Sequence, residues 1–270
     1  MVVQHNMAAS NANRQLGIST NTLSKSTEKL SSGYRINRAA DDAAGLSISE
    51  KMRSQIRGLN KASSNAQDGI SAIQTAEGAL NEAHSILQRM NELATQSAND
   101  TNTTADRTAV QSEVNALTNE LSRIASTSQF NTQNLLDGTF TGKNLQVGAL
   151  ENQKITISIG TMNAKALGVN SLDVKSFTKA GAAMTLIQKA ISKVSGQRSD
   201  LGALQNRLEH TVNNLDNISE NTQTAESRIR DTDMASEMVQ YSATSIIQQA
   251  GQSMLSHANQ ATQGVLSLLQ

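Results

Sequence analysis

Residues 52–94 read MRSQIRGLNKASSNAQDGISAIQTAEGALNEAHSILQRMNELA and place an apolar or small residue at every third or fourth position. Such a spacing, 3.5 residues on average, keeps one face of a helix turned toward a partner helix. The pattern predicts a helix of about six heptads, roughly 60 Å long. Its repeating positions are Met52, Ile56, Leu59, Ser63, Ala66, Ile70, Ile73, Ala76, Leu80, Ala83, Leu87, Met90 and Ala94.

Two further segments carry the same kind of pattern. Residues 105–128 place Val110, Val114 and Leu121 on one face, and residues 180–230 contain a second long heptad register. The polar residues 99–104 leave only a short connection after the first long helix, so the next helix should run antiparallel to it. We therefore predict a long antiparallel helical bundle or coiled coil.

The composition supports helices and excludes several classes of function. The 270 residues include no proline and no cysteine, and only three Phe and two Tyr. Proline breaks helix interiors, so its absence favours long helices. Without cysteine the chain has no disulfide and no thiolate chemistry. The 23 basic and 23 acidic residues are interspersed and indicate no nucleic-acid partner. No run of 18 apolar residues is present, so we expect no membrane insertion.

Catalytic and metal-binding patterns are also missing from the sequence. The four histidines, His5, His84, His210 and His257, lie far apart and show no metal-ligand spacing. Asp41 and Asp42 are adjacent, and adjacent helix residues do not face each other. We therefore expect no catalytic site, no metal and no cofactor.

Residues 130–177 change character. Lys154–Ile159 alternates polar and apolar side chains with β-branched residues, which predicts a strand. Leu145–Val147 alternates as well, and residues 150–153 separate the two as a turn. The region should contain a small β-hairpin.

The chain ends have thin apolar stripes. In residues 1–32 large and small residues recur at intervals of seven, and residues 234–270 carry a loose stripe. An antiparallel bundle brings both ends to the same place, so the N- and C-terminal helices should pair, each being marginal alone. The residues predicted to pack there are Leu16, Leu23, Leu30, Ile247, Met254 and Leu268.

Several long motifs, in this order, closely resemble those of the bacterial flagellins. They are LSSGYRINRAADDAAGLSISEKM (30–52), residues 58–99, QFNTQNLLDG (129–138), LGALQNRLEHTVNNL (201–215) and AESRIRDTDMASEMV (225–239). The resemblance implies an inner core of paired terminal helices, residues 1–45 plus 232–270. It also implies an outer core, residues 46–231, with helices at about 46–100, 105–128 and 180–230 and a β-hairpin region at 130–177. Only about 50 residues separate the helical parts, so the chain resembles a minimal flagellin without surface insert domains.

The resemblance implies a secreted, extracellular subunit that polymerises with itself into the helical filament of the bacterial flagellum. It also implies an export chaperone on residues 234–270 and contacts with filament cap and hook-junction proteins. We expect the terminal segments to be largely disordered in the free monomer. The heptads alone would also fit a coiled-coil adaptor or sensory rod, which would form a stable isolated dimer with strong terminal helices.

Two sets of contact residues follow. Residues 31–50 lie where the implied inner and outer cores join, and we expect subunit contacts from Arg35, Arg38, Asp41 and Asp42. Many flagellins are recognised by a vertebrate Toll-like receptor. The matching positions, the predicted receptor contacts, are Gln88, Arg89, Glu92, Leu93, Gln96 and Glu113. Met90, Asn91 and Thr95 depart from the residues common in agonist flagellins, which leaves receptor signalling strength open.

Overall fold

The structure is a computed structural model that describes the backbone of residues 6–268 and the side-chain burial of residues 6–261. The described chain is mainly helical, as predicted, and it contains two small antiparallel hairpins where the sequence predicted one. The helices are α1 (Met7–Ser32), α2 (Ala43–Ser97), α3 (Thr104–Thr127), α4 (Ala164–Leu167), α5 (Phe177–Arg230) and α6 (Met234–Leu268). The strands are β1 (Gln129–Phe130), β2 (Gln133–Asn134), β3 (Lys143–Gln146) and β4 (Lys154–Ile157).

The chain divides into two compact units. The central unit comprises residues 56–220, and the terminal unit comprises the described parts of 1–55 and 221–270. The long helices α2 and α5 contribute residues to both units.

The central unit has its core between α2, α3 and α5. Ser63 Oγ donates to Asp216 Oδ1 at 3.0 Å, and Thr95 lies 3.3 Å from the sulfur of Met184. These contacts make α2 and α5 antiparallel. The predicted heptad face of α2 is buried over most of its length, since Ile73, Leu80, Leu87 and Met90 are fully buried, whereas Met52, Ile56 and Ile70 are half-buried.

The two hairpins cover part of this core. The predicted hairpin is confirmed as β3 and β4, with Leu145 opposite Ile155. Ile155 and Ile157 are buried and Thr156 is exposed, which is the alternation expected of a half-buried strand. The sequence did not predict β1 and β2. They are two residues long, and their turn residues Asn131 and Thr132 both have positive φ, as type I′ turns require.

The terminal unit contains the paired helices α1 and α6, and the predicted pairing is confirmed. Lys29 Nζ lies 3.5 Å from Glu237 Oε2, and Asn6 Nδ2 donates to the Ala258 carbonyl at 2.9 Å. The contacts make the helices antiparallel. α1 ends at Gly33, whose φ of 76° lets its N–H donate back to the Lys29 carbonyl.

Candidate functional site

The seam between α1 and α6 consists mainly of small and polar residues. Thr244 and Ser19 are 8% exposed and Ser26 is 3% exposed. Gly251 faces Leu16, and a Cβ added at Gly251 would lie 3.5 Å from Leu16 Cδ1. The α6 side repeats at heptad spacing with buried or half-buried residues: Glu237, Tyr241, Thr244, Gln248, Gly251, Leu255 and Ala258. Small side chains let the two backbones approach, and they bury little apolar area.

Hydrophobic burial is distributed very unequally between the two units. Among residues 6–261, Ile36 is the only hydrophobic residue of the terminal unit that is fully buried. The central unit, in contrast, buries a continuous cluster that extends from Ala66 to Leu208. Apolar burial is the main stabilising contribution in folding. The terminal unit therefore gains little stabilisation from apolar burial within the single chain.

Large apolar side chains on α6 remain exposed. Val239 is 71% exposed and Ile246 is 67% exposed. At 3.6 residues per turn, these two residues lie on the side of α6 opposite the seam. Met254 and Ile247 lie closer to the seam, on one wall of a groove of about 480 Å³ between α6 and α1. Large apolar side chains grouped on one exposed side of a helix typically mark a surface that a partner covers.

The residues predicted to pack the terminal helices divide into three groups. Leu16, Leu23 and Leu30 are half-buried on α1. Ile247 and Met254 are 55% and 63% exposed, so in the single chain they flank the seam without filling it. The side chain of Leu268 lies outside the described residues. Packing of Ile247 and Met254 stays a prediction, and it requires a further partner.

The segment after α1 pairs with the end of α5. Tyr34 forms an antiparallel bridge with Asp231, and the N–H of Arg35 donates to the Arg230 carbonyl at 2.7 Å. The Arg35 guanidinium donates to the carbonyl of Ile229. Thr232 N–H donates to the Gly33 carbonyl at 3.0 Å. The segment is thus held by backbone bonds to residues almost 200 positions away in sequence.

Three arginines surround this pairing, and Arg35, Arg53 and Arg230 are called the arginine cluster below. Arg230 lies 4.7 Å from the centre of the Tyr34 ring and forms an ion pair with Glu50 at 3.1 Å. Arg53 lies 4.0 Å from Glu226. Of these three arginines, the sequence analysis identified only Arg35 as a candidate contact residue. The charged run 226–233 was a signal for Arg230, but helical spacing cannot match partners so far apart in sequence.

Both acidic residues among the predicted subunit contacts have local structural roles. Asp41 Oδ2 accepts the N–H of Arg38 at 2.9 Å and of Asn37 at 3.2 Å. These two backbone hydrogen bonds lower the pKa of Asp41. Asp42 Oδ1 accepts the N–H of Gly45 at 2.8 Å and caps the start of α2.

Arg38 is the predicted subunit contact with the fewest constraints. Its side chain is 72% exposed and forms an ion pair with Glu28 at 2.9 Å. The structure brings Arg35, Asp41 and Asp42 together around a concave surface of about 420 Å³ that Lys25 and Lys29 also line. Arg38 lies outside that lining.

The predicted receptor contacts form an exposed charged face on α2 and α3, with one exception. Arg89 Nη2 lies 2.9 Å from Glu113 Oε1, and Arg89 Nη1 lies 3.2 Å from Glu92 Oε2. Hydrogen bonds to Glu113 and then Glu92 raise the pKa of Arg89. Gln88 and Gln96 are exposed as well.

Leu93 is the exception, and its role as a receptor contact stays a prediction. It is 1% exposed and belongs to the central core. Met90, three residues before it, is also buried. Leu93 therefore shares the inward face of α2, and in this structure its side chain is not available at the surface.

Other kinds of site do not occur in the described part of the chain. No group of three or more His, Asp or Glu side chains there could hold a metal ion. None of the described helices is apolar over a length that would cross a membrane.

Comparison with known proteins agrees with this architecture. The model of the bacterial flagellin N-terminal helical region matches residues 3–141, and that of the C-terminal helical region matches residues 184–269. The chain belongs to the bacterial flagellin family. Flagellins are structural proteins, so the chain is a filament subunit of the bacterial flagellum and not an enzyme.

Relatives match this flagellin along its whole length. It is 55% identical to a flagellin of Halalkalibacterium halodurans and 48% identical to a flagellin of Bacillus subtilis, each match covering 100% of both chains. The flagellar filament 33 kDa core protein of Treponema phagedenis is 51% identical over 100% of both chains. The crystal structure of Bacillus cereus flagellin matches with a TM-score of 0.50 and 32% identity, over 56% of this chain and 88% of that one.

Proposed function

We propose that α1 and α6 are the assembly module of this flagellin, and that filament growth covers the exposed apolar side of α6 with other copies of the chain. The observation that carries the proposal is the exposure of Val239 and Ile246 opposite the seam. α6 needs a second partner to bury them, and a second copy provides one. A head-to-tail contact that does not close produces an open helical polymer.

The proposed roles of the two parts of the chain correspond to the predicted inner and outer cores. Residues 1–45 plus 232–270 would form the inner core of the filament, and residues 46–231 the outer core. The small amount of apolar burial in the terminal unit supports this division, because the fully buried hydrophobic residues of the described chain lie in the central unit, with Ile36 as the exception. The same weakness supports disorder of both chain ends in the dilute monomer, since ordering each residue costs about 1–2 kcal/mol of backbone entropy. Hydrogen exchange on a dilute monomer tests this, and strongly protected amides in α1 and α6 would contradict it.

Seeded polymerisation tests the assembly role directly. Ile246→Glu places a charge on the apolar side of α6 away from α1, and should reduce elongation of short filament seeds at least tenfold. Gln249→Glu adds the same charge at an exposed polar position of the same helix and is the matched control. Elongation rates are read by electron microscopy. If Ile246→Glu elongates seeds as fast as the control, α6 does not assemble in the proposed way.

Residues 33–42 would supply polar contacts between subunits. Charge reversal at Arg35 or Asp42 is expected to impair filament formation. Both side chains also hold their own chain together, so Arg38→Glu is the sharper probe. Arg38 is exposed, and the surface ion pair with Glu28 is the only ion pair of its side chain within the described residues. Arg38→Glu should slow elongation while leaving the unfolding transition unchanged. Glu28→Gln removes the same ion pair and leaves Arg38 available, so it should elongate normally.

The same weakness of the chain ends supports a proposal for how the subunit is delivered. We propose export through the flagellar channel, with a chaperone on residues 234–270 and assembly next to the cap and hook-junction proteins. A chaperone that covered the apolar side of α6 would prevent premature polymerisation. A pull-down with the flagellar chaperone should lose binding when residues 234–270 are removed, and unchanged binding would exclude this segment.

The exposed charged face on α2 and α3 supports a second role, recognition by the flagellin-sensing Toll-like receptor. Gln88, Arg89, Glu92, Gln96 and Glu113 would contribute to it. Arg89→Ala should weaken receptor binding, because it removes the charge that holds Glu92 and Glu113 in place. Arg123→Ala is a matched control, since Arg123 is an exposed arginine paired with Glu120 elsewhere on α3. Equal affinities of the two variants would contradict the role of Arg89.

A further inference from the structure

The sulfur atoms of this chain are segregated by exposure. The sequence has nine methionines and no cysteine, so methionine is its only oxidisable sulfur. Four methionines, called the terminal methionines below, are strongly exposed: Met7 at 75%, Met234 at 47%, Met238 at 50% and Met254 at 63%.

The other described methionines are shielded. Met90 is 0% and Met162 8% exposed, and both belong to the central core. Met52 and Met184 are half-buried. All the strongly exposed methionines of the described chain therefore lie on α1 and α6, the two helices proposed to assemble.

We propose that the terminal methionines are a reversible oxidation site at which peroxides control polymerisation of this flagellin. The inference rests on the proposed assembly role of α1 and α6. The further claim is that the subunit can polymerise only while these thioethers are reduced.

The chemistry is a two-electron oxygen transfer. The thioether sulfur attacks the hydroxyl oxygen of a hydroperoxide, a sulfur–oxygen bond forms as the O–O bond breaks, and the hydroxyl proton moves to the leaving oxygen. Methionine is oxidised to the sulfoxide and the peroxide is reduced to water or an alcohol. Reductases of the methionine sulfoxide class, supplied with a thiol reductant, reverse the change.

The sulfoxide changes what the helix surface can bury. The α1 side of the groove includes Asn11, Gln15 and Ser19, whereas Met254 lies on the α6 wall beside Ile247, Ala250 and Gly251, which have no side-chain hydrogen-bond donors. A sulfoxide oxygen buried against such a wall loses its bonds to water, which disfavours the contact. The central core is expected to be unaffected, because its methionines are shielded.

Seeded elongation with the full chain tests the proposal. Purified monomer is treated with dilute hydrogen peroxide, quenched with catalase, and mapped by peptide mass spectrometry before seeds are added. We expect sulfoxides at the terminal methionines well before Met90 and Met162, together with at least fivefold slower elongation. Treatment of the oxidised monomer with a methionine sulfoxide reductase should restore the rate.

Two variants separate the proposed site from general damage. M7L/M234L/M238L/M254L should elongate normally after peroxide, whereas M52L/M184L should remain sensitive. Unchanged elongation of wild-type monomer oxidised at all four positions would overturn the proposal, and so would failure of the reductase to restore it. If untreated wild-type monomer does not elongate seeds, the proposed assembly function fails as well, so the two failures are distinguishable.

Discussion

At the scale of single residues, Gln111 shows how one polar side chain fixes a segment that has little regular structure. Gln111 is buried on α3. Its Oε1 accepts the N–H of Val174 at 2.7 Å, and its Nε2 donates to the Leu172 carbonyl at 2.8 Å. Val174 is fully buried, so no water is available to replace the glutamine. The side chain therefore substitutes for a strand partner along residues 172–174.

Gln111→Leu should destabilise the central unit by about 2–4 kcal/mol, because it leaves two buried backbone groups without partners. Hydrogen exchange of the Val174 amide and denaturant unfolding both report the change. Asn115→Ala is the control, since Asn115 bonds the same Gln111 amide at 2.9 Å and is itself exposed. Asn115→Ala should lower the free energy of unfolding by less than about 1 kcal/mol. Equal losses in the two variants would show that the backbone contacts contribute nothing.

A second residue-scale prediction concerns pH. Asp106 completes a capping box at the start of α3 with Thr103, whose hydroxyl and backbone N–H donate to Asp106 Oδ2. These hydrogen bonds lower the pKa of Asp106. A folded-state pKa below the unfolded value means that the cap stabilises α3 above about pH 4 and is lost as pH falls through the folded value.

An NMR titration of the Thr103 amide tests this linkage. Its midpoint should lie below the ordinary aspartate pKa, and Asp106→Asn should abolish the titration. A midpoint at the ordinary value would mean that the carboxylate does not hold the cap.

Whether the sequence could identify the buried residues of a helix depended on how many faces of that helix are apolar. The α2 pattern identified the buried heptad positions because its opposite face is polar. The same pattern, applied to Leu93, would have indicated burial, since Leu93 follows Met90 by three residues. On α6 the periodicity could not identify the buried face. Apolar residues such as Val239, Ile246 and Met254 lie on more than one side of the helix, and the face that packs against α1 is polar.

At the scale of elements, glycines mark where another element approaches the long helix α2. A Cβ added at Gly58 would lie 2.8 Å from the Cβ and 3.2 Å from the Cα of Ala149, in the loop between β3 and β4. A Cβ added at Gly78 meets no neighbouring atom within 4 Å. The two glycines belong to the same helix and the same unit, but only the first is required by packing.

The pair Gly58→Ala and Gly78→Ala should therefore change stability in opposite directions. Gly78→Ala should stabilise the central unit by about 0.5–1 kcal/mol, the helix-propensity gain of alanine over glycine. Gly58→Ala receives the same gain but must displace the Ala149 backbone, so we expect a net loss of about 1–3 kcal/mol. Thermal unfolding of the two variants measures the difference. Stabilisation by both would mean that the β3–β4 loop moves away without cost.

Element-scale prediction succeeded where a repeat was long or an alternation clear, as in α2, α5 and the β3–β4 hairpin. It failed for β1 and β2, because two-residue strands contain no period to detect. Their turn has Asn131 followed by Thr132, and a β-branched residue with positive φ is not a usual signal for a tight hairpin.

At the scale of the whole molecule, the two units differ in the kind of contact that stabilises each of them. The central unit buries its core within residues 66–208, whereas the terminal unit depends on a polar seam, the arginine cluster and Ile36. The sequence anticipated this contrast through its thin terminal stripes. It could not anticipate the arginine cluster, which forms only when residues near 35, 50 and 230 meet in the folded chain.

Removal of residues 1–32 and 234–270 tests the contrast between the units by comparing folding with assembly in one shortened chain. The shortened chain should keep a cooperative thermal transition close to that of the full chain, because no described residue of the central core is lost. It should not elongate filament seeds, because the exposed apolar side of α6 is gone. Circular dichroism measures the first expectation and electron microscopy the second. Long filaments grown from the shortened chain would show that assembly resides in the central unit, since that unit would then be sufficient without α1 and α6.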